Sequence, residues 1–150
     1  MEHIRIISSK DTFYVRQQVL RVGKPIESCQ FEGDDLPTTT HFGLFVDEKL
    51  IGVVSVFKNK NTIFSLENQY QIRGMAVLPE FQRKGLGKEL VTHCEAYLKH
   101  LKATLIWFNA REKAVLFYKK LGYNPLGAPF SIADIGIHYV MKKELATDYE

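Results

Sequence analysis

Gln82-Arg83-Lys84-Gly85-Leu86-Gly87, entered through the strand-like run Ile72-Arg73-Gly74-Met75-Ala76-Val77, decides how this chain is read. The order is strand, short loop, glycine-rich turn, helix start. At a helix start the first backbone N–H groups lack intrahelical acceptors, and the helix dipole adds partial positive charge. Gly85 and Gly87 remove side chains where a ligand would approach the backbone. Arg83 and Lys84 add formal charge. The stretch is a candidate seat for a phosphorylated ligand.

Its spacing excludes two common phosphate motifs. A P-loop ends Gly-Lys-Ser/Thr, whereas Gly87-Lys88 is followed by Glu89. The dinucleotide fingerprint needs a third glycine where Leu90 stands. Alone, a Gly-x-Gly reads equally well as an ordinary loop before a helix.

The flanks carry more. Met75 to Leu90 reads Met-Ala-Val-Leu-Pro-Glu-Phe-Gln-Arg-Lys-Gly-Leu-Gly-Lys-Glu-Leu. It resembles the acetyl-CoA-binding motif of the GNAT N-acetyltransferase superfamily, Gln/Arg-x-x-Gly-x-Gly/Ala after a strand with a hydrophobic-Ala-Val-x-Pro-like end. Gln82, Gly85 and Gly87 match its defining positions. A second segment, Ala110-Arg111 to Tyr123, resembles the Ala-x-x-Phe/Leu-Tyr-x-x-x-Gly-Phe/Tyr signature of the same superfamily. The resemblance is strongest from about residue 70 to 123. The Val-Leu-Arg-Val-Gly-Lys-Pro run at 19–25 looks like a small bacterial branch that comes with no assigned substrate.

Length and composition agree with that class. A chain of 150 residues is most simply one domain, 1–150, with one core. Hydrophobic content is 45% and charged content 25%, both ordinary for a globular protein. A net charge of only +3 gives no argument for nucleic acid. Cys29 and Cys94 form no framework and no Cys-x-x-Cys pair. There is no signal-peptide pattern and no apolar run of about 18 residues, so no membrane is expected and the cytoplasm is the default.

Taken in order, His3 to Ile7 reads as a first strand. Ser8 followed by Asp11 signals a helix start, with a helix expected to about Arg21 whose inward residues are Val15, Val19 and Val22. Residues 24–40 read as a loop, carrying Glu27, Glu32, Asp34 and Asp35 as either solvated acids or a rim that attracts a cationic amine. Residues 42–46 and 50–57 form a hairpin around Asp47-Glu48-Lys49. Residues 69–77 are the next strand. Leu90, Val91, Cys94, Leu98 and Leu101 make one buried helix face, with His93 and His100 solvated. Thr104 to Phe108 is a buried strand, parallel to 69–77 across the helix. Ala114, Phe117, Tyr118 and Leu121 form a helical stripe closed by Gly122, and 123–130 with 135–142 form a last strand pair. The fold expected is mixed α/β, GNAT-like: a mostly antiparallel sheet with one parallel βαβ pair splayed at the cofactor cleft, and helices on both faces.

The resemblance implies the chemistry. Acetyl-CoA is the cosubstrate and no metal is needed. Met75, Ala76 and Val77 take the thioester and pantetheine, and the amides of Gln82, Arg83, Lys84, Gly85, Leu86, Gly87 and Lys88 take the pyrophosphate. The Val77 N–H is the oxyanion donor. Tyr118 is the acid that protonates the leaving thiolate, although its place on the apolar stripe fits a plain core residue too. Asn109, at the end of its strand, and Arg111 are two further cofactor contacts to weigh. Many family members carry a glutamate base where Gln71 stands, and an amide cannot take that proton. The base is then Glu67, His41, His138 or a water chain. The acceptor is a primary amine, small-molecule or peptide, attacked directly in a ternary complex. The alternative is a non-catalytic acyl-CoA sensor. Family members commonly dimerise, which keeps a homodimer open.

Overall fold

Runs rich in β-branched and aromatic residues give four strands early in the chain: β1 (Glu2–Ile7), β2 (Thr40–Val46), β3 (Lys49–Lys58) and β4 (Gln69–Val77). Three follow later: β5 (Leu105–Arg111), β6 (Asn124–Ile132) and β7 (Gly136–Glu144). The helices are α1 (Phe13–Val19), α2 (Leu86–His100) and α3 (Val115–Lys120). The structure is a computed structural model and describes residues 1–145. The strands form one seven-stranded sheet in the order β1-β2-β3-β4-β5-β7-β6. β1–β2, β2–β3, β5–β7 and β6–β7 are antiparallel. β4 and β5 are parallel, Gln69–Gln71 against Leu105–Trp107, as the helical crossover demands.

The described residues form two compact units, Met1–Lys58 with Ile72–Tyr97, and Asn59–Gln71 with Leu98 and the described residues after it. In the first, Asp47 and Glu48 close the β2–β3 hairpin at φ 48° and 67°, the left-handed pair a type I′ turn needs. β3 is buried on both faces because a helix covers each. On one face, a Cβ added at Gly52 would lie 3.2 Å from Leu90 of α2, and Phe42 meets His93 and Tyr97 edge-on at 4.8 and 5.1 Å. On the other, Arg16 of α1 reaches Ser55 Oγ at 3.1 Å.

Ser8 and Asp11 form the expected reciprocal cap, each side chain accepting from the other's backbone N–H. The helix after it is shorter than expected. α1 ends at Val19, Val22 is 71% exposed, and the residue turned fully inward beside Val15 is Arg16. Arg16 donates to Asp34 at 2.7 and 3.2 Å, to the Cys29 carbonyl at 2.7 Å and to Ser55. Asp34 also accepts from the Phe31 N–H at 2.8 Å. Asp34 is therefore not part of an exposed acidic rim: it is buried and committed to Arg16. On α2, Leu90, Val91, Cys94 and Leu98 face inward as the spacing requires, but Leu101 lies past the helix end and is 41% exposed. His93 is half-buried on Phe42 rather than solvated.

In the second unit, Phe64, Leu105 and Trp107 form an apolar cluster. Gln69, almost fully buried, gathers the segment before it by donating to the Phe64 and Leu66 carbonyls and accepting from Asn61 N–H. Asn68, at φ 58°, donates its amide to the Leu101 and Lys102 carbonyls just beyond α2. β5 runs on to Arg111, so Asn109 sits within the strand, paired with Val140, and not at its end. Among the described residues no helix is long and apolar enough to cross a membrane.

The buried pair predicts a stability effect. Asp34→Asn leaves Arg16 buried without a counter-charge and should cost about 3–5 kcal/mol. The exposed Asp35→Asn should cost less than about 1 kcal/mol. Urea unfolding midpoints of the two variants, at unchanged m-values, check both.

Candidate functional site

β4 leaves the sheet through Leu78, whose N–H donates to the Ile51 carbonyl on β3 at 2.8 Å. The Ala76 carbonyl also faces β3, 3.4 Å from a Cβ built on Gly52. Strand alternation then turns the N–H and C=O of Val77 away from β3. Gly74, at φ +67°, breaks the alternation before this point, and its missing Cβ makes room for Arg16 Nε at 3.3 Å. Met75 is half-buried, while Ala76 and Val77 are buried.

A 3-10 turn at Pro79–Phe81 carries the chain into the glycine turn. Gln82 ties the turn back to the strand, its Nε2 donating to the Val77 carbonyl at 2.8 Å. Arg83 (φ 65°) and Gly85 (φ 79°) are left-handed, which curls the backbone so that successive N–H groups point inward. Nothing lies within 4 Å of a Cβ on Gly85, so the glycine is there for its backbone angle. Glu89 N–H is the first to be satisfied, by the Gly85 carbonyl at 3.2 Å. Among the described residues, the N–H groups of Arg83 through Lys88 have no recorded protein acceptor. The turn is thus a cradle of unsatisfied donors at the positive end of a 15-residue helix. Arg83, Lys84 and Lys88 are exposed around it, and Lys49 and Lys84 flank the Phe81 ring at 5.7 and 5.6 Å. Lys49, read from sequence only as a hairpin residue, is a cation that no local pattern announces.

Gln82 to Lys88 and Met75 to Val77 are therefore brought together within the first unit. In the second, Tyr118 is buried, with Phe108, Phe117 and Tyr123 rings around it at 4.4, 5.0 and 6.2 Å. Asn109 is exposed. Gln71 accepts from Asn59 Nδ2 at 2.9 Å.

The candidate bases differ in what their atoms already do. His41 Nε2 donates to the Asp34 carbonyl at 2.9 Å, so its Nδ1 accepts from Ser55 Oγ at 2.6 Å, and the ring is fully engaged. Glu67 is exposed and ion-paired with Lys60. His138 is buried, and its Nδ1 donates to the Gly136 carbonyl at 2.9 Å. A neutral ring with hydrogen on Nδ1 keeps a lone pair on Nε2. Both cysteines are buried, and burial pushes the Cys94 thiol up. Among the described residues no cluster could hold a metal ion.

The chain is similar to known proteins. Residues 9–123 match the family described as Acetyltransferase (GNAT). YitI of Bacillus subtilis (strain 168), an uncharacterised N-acetyltransferase, is 35% identical over 147 residues, covering 98% of this chain and 99% of its own. An aminoglycoside 6′-N-acetyltransferase solved with coenzyme A superposes at TM-score 0.77, with 14% identity and 99% of each chain covered. PaiA N-acetyltransferase of Thermoplasma acidophilum, also with coenzyme A, superposes at TM-score 0.72, with 19% identity, 97% of this chain and 99% of that one covered. At such identities the two solved structures speak for the fold.

The Gln82 tether makes a local prediction. Gln82→Ala should speed amide exchange at Leu78 and Glu89, the hydrogen-bonded amides on either side of the turn, while global stability changes by no more than about 1 kcal/mol, the scale of one hydrogen bond. Hydrogen–deuterium exchange read peptide by peptide, beside a urea melt, checks it.

Proposed function

Since the chain belongs to the GNAT acetyltransferase family and is an acetyl-CoA-dependent N-acetyltransferase, we propose how its residues divide the work. The observation that carries the reading is the cradle of unsatisfied N–H groups from Arg83 to Lys88 beside the turned-out backbone of Val77. The cradle receives the pyrophosphate of acetyl-CoA, with Gln82, Gly85, Leu86 and Gly87 setting its shape and Arg83, Lys84 and Lys88 adding charge. The pantetheine amides lie along Met75, Ala76 and Val77 as an added strand would. The Val77 N–H, held by the strand and needing no reorganisation, stabilises the oxyanion formed when the amine attacks the thioester carbonyl.

Tyr118 gives a proton to the leaving CoA thiolate, with Asn109 as an accessory cofactor contact. The acceptor is a primary amine, small-molecule or peptide, and attack is direct within a ternary complex. Two buried thiols support a route without a cysteinyl intermediate. They also fit a reducing cytoplasm. Among the candidate bases, His41 is committed to the Arg16 network and Glu67 to Lys60, which favours His138 through its Nε2 lone pair. The family match runs through both units, which supports treating residues 1–150 as one acetyltransferase domain.

Calorimetry tests the cofactor site first. Wild-type protein should bind acetyl-CoA and CoA, and Gly87→Glu should abolish both by placing bulk and negative charge in the cradle. Absence of binding by the wild type would sink the assignment. Tyr118→Phe should lower kcat by about 10²-fold or more, the scale of one general acid, with acetyl-CoA affinity unchanged. An unchanged kcat would remove Tyr118 from the chemistry.

A further inference from the structure

The surroundings of Phe31 in the first unit hold more positive charge than the buried carboxylate there neutralises. Arg16, Arg73 and Arg21 lie over the Phe31 ring, with guanidinium carbons 3.9, 5.0 and 5.2 Å from its centroid. Asp34 is buried beside them, and both of its oxygens are taken by Arg16. Arg73 is placed differently. Its guanidinium also lies 5.1 Å from the Phe57 ring, so two aromatic faces hold its plane. Among the described residues its recorded hydrogen bond is one marginal contact, Nη1 to the Glu32 carbonyl at 3.4 Å, and no carboxylate lies within ion-pair distance. A guanidinium carries five N–H donors, so most of this fork is uncommitted. Burial first, and the charge of Arg16 next, hold it below the usual arginine pKa, a strain that a bound anion would relieve.

The place matters as much as the charge. Arg73 stands on β4 two residues before Met75, on the strand that takes the thioester arm in the function proposed above. Phe31 and Glu32, which it touches, line an open hollow of roughly 460 Å³. At a rise of about 3.3 Å per residue, a group on Arg73 is within on the order of 10 Å of the Met75–Val77 backbone. We propose that Arg73 binds an anionic group, carboxylate or phosphate, on the amine acceptor. The proposal rests on the acetyltransferase reading and narrows its substrate class. The hollow also presents the carboxylates of Glu32 and Asp35, so a zwitterion fits it better than a polyanion. The acceptor is then a compact molecule with an amine at one end and an anion at the other.

Two measurements test this. In the first, acetyl transfer is compared across matched acceptors, lysine against cadaverine for the carboxylate and 2-aminoethyl phosphate against ethanolamine for the phosphate. Wild type should favour the anionic member of at least one pair by about tenfold or more in kcat/KM, the scale of one charge-assisted hydrogen bond. The preference should collapse through KM in Arg73→Gln and fall partway in Arg73→Lys, which keeps charge but loses the planar fork. Thermal melts confirm that both variants fold.

The second measurement needs no turnover. Inorganic phosphate and acetate are titrated into CoA-loaded protein while the arginine Nε–H signals are followed by NMR, Arg73 being identified by its loss in Arg73→Lys. Its signal should move saturably with at least one anion. A signal unmoved by both overturns the proposal, as does a wild type indifferent to the anion or a preference that survives in Arg73→Gln. If CoA itself fails to bind, the acetyltransferase assignment falls separately, and the same titration on free protein still decides whether Arg73 takes an anion.

Discussion

One buried ion pair conditions the geometry of the first unit. Arg16 and Asp34 are both withdrawn from water, which costs several kcal/mol per ion unless the remaining donors and acceptors are matched. Here they nearly are. Arg16 spends its terminal nitrogens on Asp34, Ser55 and the Cys29 carbonyl, Ser55 passes a hydrogen bond to His41, and His41 returns one to the Asp34 backbone. The loop that closes beside β3 is therefore pinned by a closed circuit. Among the described residues Arg16 Nε has no hydrogen-bond partner, and it faces Gly74, whose missing side chain lets the two approach. A charge inside the core thus constrains where β4 can bend.

That bend sets up the chemistry. Beyond Gly74 the strand recovers its alternation, Ala76 and Leu78 turn toward β3, and Val77 turns outward. The chain then curls through two left-handed residues into α2, and Gln82 locks the curl to the carbonyl of the same Val77. In the function proposed above, the oxyanion donor and the phosphate cradle share one rigid origin, so neither has to be organised when substrate arrives.

What was legible in the sequence is what local rules encode. Gly85, the Ser8/Asp11 cap, the apolar run at 104–108 and the stripe Leu90–Val91–Cys94–Leu98 each report a backbone requirement or a buried face. Arg16 was not legible. A helical pattern assigns an arginine to solvent, and nothing local says that an aspartate eighteen positions on will meet it in the core. The same blindness left Asp34 among the solvated or rim acids. Val22 and Leu101 failed for another reason: they continue an apolar period past the point where Val19 and His100 end their helices. Arg73 sat in a strand pattern, and its setting depends on Phe31 and Phe57, which reach it from elsewhere in the chain.

The last strand of the sheet has a consequence for how copies of the chain can meet. Among the described residues β6 lies at one border and pairs with β7 alone, in a register that slips between Leu126 and Phe130. Pro125 and Pro129 stand on either side of Gly127, itself at φ +78°. Each proline lacks the N–H that a further strand would need, and the kink spoils the straight ladder between them. The border is a terminus in the polymer sense: two missing donors and a kink make it a poor template for continuing the sheet.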